Sequence, residues 1–247
     1  MTGASGKAKA LKTKQGQKAA AIDAEVESAL AWLERHATKH TRDGMARYAI
    51  PSDNALGVAV SDIRALGKQL GRNQELAAAL WKTKVYEARM LTAFVADPER
   101  VTSAQMDRWC RDFDSWAICD HLSFHLFDRT PHAWAKVDQW SDKREEFVKR
   151  AAFALLASLA GHDKRSTDDT FIRCLPLIEG AATDERNFVK KGVSWALRGI
   201  GHRNLALNTA AVILAKRLAK SENATARWIG KDTLRDITRP SLRLRGR

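Results

Sequence analysis

The sequence predicts an all-α fold built from stacked helical repeats, and three observations predict it. Past residue 20, apolar residues recur at helical spacing, with no strand-like alternation between hairpin turn signals. Only five prolines interrupt 247 residues. A ten-residue block also recurs: FVKRAAFALL (147–156) is followed 41 residues on by FVKKGVSWAL (188–197), and a further 40 on by WIGKDTLRDI (228–237). YEARMLTAFV (86–95) is an earlier relative of the block. A period near 40 with paired helices is the signature of HEAT- or armadillo-like stacking, in which each unit buries its apolar face only against its neighbours.

The elements follow in order from the apolar spacing. Helices are expected over about 22–38, 53–70, 73–81, 84–96, 103–112, 114–128, 131–139, 143–161, 168–180, 185–201, 204–220 and 224–237. Thr102-Ser103 reads as an N-cap, because a short side-chain oxygen there accepts from a free N–H of the first turn. Asp97-Pro98 reads as a stop, because proline cannot continue a helix. The organisation expected is a basic, disordered tail over 1–20, one repeat domain over 21–238 and a basic C-terminal tail over 239–247.

Lys plus Arg number 42 against 29 Asp plus Glu, a net charge of +13. The first 18 residues hold five lysines and no acid, so most of the excess belongs to the rest of the chain. A basic domain of this size suits a polyanion, most commonly a phosphate backbone. The longest apolar runs, such as LNTAAVILA, fall short of the roughly 20 residues a membrane span needs. No apolar leader precedes residue 20, so no secretory signal is expected. Cys110, Cys119 and Cys174 form no C-x-x-C, which points to a reducing cytoplasm rather than a disulfide framework or zinc ribbon.

Candidate functional residues come from the repeat and from two helices. Arg150, Lys191 and Lys231 fall at one repeat position, and a recurring base there would make a ladder suited to a polyanion. Lys190 precedes a stripe on which Lys191, Trp195, Arg198 and His202 lie together, while Val189, Val193, Leu197 and Ile200 face the core. Trp195 thus sits among cations, either as a nucleic-acid contact or covered by the Lys191 and Arg198 stems. In SWAICDHL (115–122), Trp116 and Asp120 are one turn apart and share a face with Ser123 and Phe127. Ile118, Leu122 and Leu126 form the opposite, core stripe. An ordinary Asp titrates near 3.9, so Asp120 is expected as an anion. Taken alone, its simplest role is a structural salt bridge to an arginine.

His121 and His125 lie one turn apart but lack the glutamate of H-E-x-x-H and a third ligand, so no metal and no cofactor are expected. There is no glycine-rich phosphate loop, no G-x-S-x-G and no Cys–His constellation. Trp32, Trp81, Trp109, Trp134, Trp140 and Trp228 read as core or interface anchors.

From about Gly44 to Ile237 the chain resembles the AlkD-type DNA alkylation-repair glycosylases. The resemblance is carried by MARY (45–48), GVAVSDIR (57–64), ALW with YEARMLTAFVADP, SWAICD, FVKRAAFALL and GVSWALR. The family's Trp-x-x-x-Asp, the Arg opening a later repeat helix and the Trp of the next repeat fall on Trp116, Asp120, Arg150 and Trp195. The chain departs from the family at Ser115, where a tryptophan often stands, and in a stretch between Tyr48 and Gly57 that is about one residue short. The resemblance implies a right-handed superhelix of HEAT-like repeats whose concave basic face holds duplex DNA. It implies a monofunctional N-glycosylase that removes cationic N3- or N7-alkylpurines, and bulky adducts, without flipping the base. Asp120 would stabilise the sugar cation and place a water, Trp116 and Trp195 would contact the deoxyribose, and Arg150 would hold a phosphate and orient Asp120. Lys190, Lys191, Arg198, Lys231 and Tyr48 are the further expected DNA contacts. The expected setting is a monomer in the cytoplasm, associated with the nucleoid. The alternatives are a non-catalytic repeat protein binding damaged or branched nucleic acid, and a protein-binding scaffold.

Overall fold

The computed structural model describes the backbone of residues 3–240 and side chains from residue 16 onward; most of the expected C-terminal tail, 241–247, lies outside the described residues. Among the described residues the chain is all helix, with no strand. The helices are α1 (Gly3–His36), α2 (Lys39–Met45), α3 (Val60–Leu70), α4 (Gln74–Lys82), α5 (Tyr86–Val95), α6 (Ser103–Arg111) and α7 (Trp116–His125). They continue as α8 (Ala133–Ser141), α9 (Glu146–His162), α10 (Asp168–Ile172), α11 (Leu175–Ala181), α12 (Asn187–Gly201), α13 (Leu205–Ala219) and α14 (Ala224–Ile237). Single 3-10 turns follow α2 at Ala46–Tyr48 and α7 at Phe127–Arg129. The all-α repeat fold expected from the sequence is the fold observed. No described helix is long and apolar enough to cross a membrane.

The helix starts have chemical causes. Thr102 caps α6 as expected, its hydroxyl accepting from Gln105 N at 3.2 Å. Asn73, Ser115, Asn204 and Asn223 cap α4, α7, α13 and α14 in the same way. Several boundaries differ from the periodicity, and α2 is not among the expected helices. The helix expected from residue 53 begins at Val60, because Leu56, Gly57 and Val58 donate their N–H groups to the buried Glu87 carboxylate at 2.9, 2.7 and 3.3 Å. Gly57 there takes φ +94°, and a Cβ would meet Thr38 O at 2.5 Å, so only glycine fits. The helix expected over 168–180 is two helices, α10 and α11, with Pro176 in the first turn of α11, where its missing N–H costs nothing. Helix α1 begins at Gly3, inside the segment read as a tail, and Lys18 Nζ lies 3.1 Å from Glu75 of α4.

The chain divides into two compact units, Met1–Arg100 and Val101–Arg247. In the first, α5 packs against α3 and α4. In the second, α9 is the central helix, buried without a break from Arg150 to Ala160. It lies between α7 and α8 on one side and α12 on the other, and α12 packs in turn on α13 and α14. The three copies of the repeat block are therefore α9, α12 and α14. Their shared register is visible where the equivalent Phe147 and Phe188 rings meet at 5.5 Å. Close approach within a repeat needs a small residue: a Cβ on Gly230 of α14 would meet Ala219 N of α13 at 2.3 Å.

Candidate active site

Ser115 is the buried N-cap of α7, and its hydroxyl accepts from Ile118 N at 3.5 Å. That hydroxyl gives a structural reason for serine at this position. Ile118, Cys119 and Leu122 are fully buried and fix the orientation of the helix. The opposite face leaves Trp116, Asp120 and Phe124 half-buried, one turn apart from each other.

Asp120 meets Arg150 of α9 in a two-pronged pair. Nε donates to Oδ1 at 2.9 Å and Nη2 to Oδ2 at 2.7 Å. The third arm, Nη1, donates to Phe188 O at 2.6 Å and so ties α12 into the same joint. The Arg150 side chain is 7% exposed and that of Asp120 17%. The guanidinium carbon also lies 6.0 Å from the centre of the Trp116 ring, a cation–π contact. Burial raises the Asp120 pKa above its ordinary value, against the opposing pull of Arg150. For Arg150, burial works to lower the pKa, but the Asp120 carboxylate outweighs it and raises it. Both carboxylate oxygens accept hydrogen bonds, the arrangement of an ionised acid fixed in place.

One turn beyond Asp120, the Phe124 ring stacks on Trp195 of α12, with centroids 5.1 Å apart and planes 6° from parallel. His162 at the end of α9 meets Phe124 edge-on at 5.1 Å. That histidine is itself held by Asp128 at 2.6 Å, and Asp128 also accepts from Ser158 at 2.7 Å. Thus Trp116, Asp120, Arg150 and Trp195 are brought to one face of the second unit, linked through Phe124. A carboxylate fixed by an arginine fork on a face that also carries tryptophans can stabilise a developing cation and bind a water.

Residues 29–236 match the family model described as DNA alkylation repair enzyme. The chain belongs to the DNA alkylation repair enzyme family. A solved structure described as a new family of proteins related to the HEAT-like repeat DNA glycosylases, with affinity for branched DNA structures, has the same fold. It is 20% identical with a TM-score of 0.70, over 85% of this chain and 94% of that one. A designed armadillo repeat protein in complex with the peptide (KR)4 is a looser likeness, 13% identical with a TM-score of 0.38, over 72% of this chain and 92% of that one. No curated protein sequence matches the chain.

In this DNA alkylation repair family member the remaining expected contacts divide by surroundings. Lys191 and Lys231 are exposed, but their repeat equivalent Arg150 is buried, because α9 is central and α12 and α14 are not. Lys190 Nζ lies over the Trp228 ring at 5.1 Å. Arg198 is 3.9 Å from Asp232 and His202 2.8 Å from Asp236, so carboxylates of α14 offset part of the basic stripe. Tyr48 lies in the first unit and is 66% exposed. His121 is buried and meets His125 edge-on at 4.6 Å; no group of three metal-ligating side chains occurs among the described residues. Phe124, His162 and Asp232 are not among the residues expected from the sequence. Phe124 alone had a signal, an aromatic ring one turn beyond Asp120.

Proposed function

We propose that the chain is a monofunctional DNA N-glycosylase that hydrolyses cationic N3- or N7-alkylpurines, such as 3-methyladenine and 7-methylguanine, from duplex DNA. The observation that carries this reading is the buried, two-pronged Arg150–Asp120 pair beside Trp116, with Trp195 stacked one turn away on Phe124. An alkylated purine already carries positive charge, so its bond to C1′ breaks with the electron pair passing to the base. No acid is needed to protonate it. The barrier lies in the sugar cation, which an anion and electron-rich rings stabilise. A water then adds to C1′, its lost proton passing to Asp120 or to solvent, and an abasic site remains.

Asp120 suits this role in two respects. Burial makes it a stronger base, and the Arg150 fork holds it ionised and oriented. Each carboxylate oxygen has a second lone pair, so the fork leaves room for a water. Arg150 is then a positioning residue, its buried guanidinium joining Asp120 to α12 rather than gripping a phosphate. Lys190, Lys191, Arg198 and Lys231 would carry phosphate contacts, and Tyr48 is a DNA contact on the resemblance alone. In this reading the lesion stays in the duplex, which admits bulky adducts, and the protein acts as a monomer on nucleoid DNA in the cytoplasm.

A second reading, a non-catalytic binder of damaged or branched nucleic acid, is favoured by one observation: both Asp120 oxygens are already engaged by Arg150. Incubating the protein with a 7-methylguanine duplex separates the two. Free 7-methylguanine and an alkali-labile abasic site support the glycosylase, and tight binding with no released base supports the binder.

A further inference from the structure

Trp228, at 38% exposure, is the most exposed tryptophan among the described residues. It lies in the second turn of α14, at the repeat position of Phe147 and Phe188, and those two rings cover each other. Trp228 instead has Lys190 Nζ at 5.1 Å over its ring. Lys191 follows Lys190 on α12, and Lys231 stands one turn beyond Trp228 on α14; both are exposed. Lys149, one repeat earlier than Lys190, is tied to Asp184 at 3.3 Å, and Arg235 is paired with Asp232. At Trp228 one cation, Lys190, lies over an aromatic ring instead.

We infer that Trp228, with Lys190, Lys191 and Lys231, forms a second DNA contact that grips the phosphodiester backbone flanking the lesion. The inference rests on the DNA-glycosylase reading, which places the lesion over Trp116, Asp120 and Trp195. Lysines supply phosphate contacts, and the indole supplies a flat apolar surface for a deoxyribose. Patch and candidate active site are continuous: Lys191 and Trp195 lie one turn apart on α12, and Lys190 of that helix touches Trp228. Packed helices are about 10 Å apart and one DNA strand advances about 3.4 Å per nucleotide. The patch therefore meets the backbone roughly three nucleotides from the lesion. It makes affinity depend on how much duplex extends past the lesion on that side.

The test measures binding to 7-methylguanine duplexes with one flank of about two or about eight base pairs, the other flank held long, in both orientations. Trp228→Ala is expected to weaken the complex about tenfold when the long flank lies over α14, and less than about twofold when the short flank does. Lys231→Gln removes no packing and guards against misfolding. It should reduce the salt slope by about 0.9 on the long-flank duplex only. Equal weakening on both duplexes, or none on either, overturns the inference. Failure to release free base would overturn the glycosylase reading, and the flank contrast would still be read on the same duplexes.

Discussion

Arg150 grips Asp120 with two parallel hydrogen bonds of 2.9 and 2.7 Å, and its third arm reaches the Phe188 carbonyl at 2.6 Å. One side chain thus fixes the candidate catalytic anion and joins helices α7, α9 and α12. Removing one partner from a buried pair leaves the other charge uncompensated, so Arg150→Ala should destabilise the protein by about 3–5 kcal/mol. Arg150→Lys keeps the charge but loses the fork. It should fold, with base release slowed about tenfold or more. Urea denaturation and single-turnover kinetics of both variants check this, and an Asp120→Asn, Arg150→Lys double variant should show non-additive losses.

On the glycosylase reading, the Phe124–Trp195 stack would make Phe124 a positioning residue. Phe124→Ala should cost about 1–2 kcal/mol of stability through lost ring contact and burial. Base release should slow while affinity for undamaged duplex is kept. Phe124→Tyr, which preserves the ring, should restore the rate. A loss of stability with unchanged release would reduce Phe124 to a packing role.

The pH profile of base release should carry the mark of Asp120. Its folded pKa is raised, first by burial, and the group must be ionised to act. Activity should therefore climb as pH rises through a value above the ordinary 3.8, and fall below it. A single-turnover series on pre-formed complexes checks the position of that limb, which Asp120→Asn should lack.

Stability should depend on pH through Asp184. Its side chain accepts from Arg186, which also donates to Arg144 O at 2.6 Å, and these bonds anchor the start of the helix carrying Trp195. The hydrogen bonds from Arg186, with further help from Lys149, lower its pKa to about 2 against burial, from 3.8. A depressed carboxylate stabilises the fold above its unfolded pKa, and that stability is lost as pH falls from about 4 to about 2. Asp184→Asn should lower the urea midpoint at pH 6, and the gap from the parent protein should narrow at pH 3.

Chelator should leave base release unchanged, since the proposed chemistry uses a carboxylate, two indoles and water. Loss of activity on adding EDTA, restored by a divalent metal, would contradict it.

The repeat helices were legible because their pattern is local: an apolar face and a cap need only neighbours in sequence. Trp116 and Asp120 shared a face for the same reason. Helical spacing continues that stripe to Ser123 and Phe127, whereas Phe124 is the residue beside the site. Positions three and four along are both near neighbours on a helix, and only contact with Trp195 of α12 selects between them. The ladder of Arg150, Lys191 and Lys231 was visible as a pattern but not as an environment, because burial of Arg150 depends on which repeat is central. The pairing of Arg198 and His202 with Asp232 and Asp236 was likewise hidden, since those partners lie 34 residues away.

The most direct test of the account compares the parent protein with Asp120→Asn on a 7-methylguanine duplex, reading free base and duplex binding in the same samples. The account predicts that the parent releases 7-methylguanine and leaves an abasic site. The variant should bind the duplex about as well and release base about 100-fold more slowly, or less still. Release by Asp120→Asn at the parent rate would contradict it.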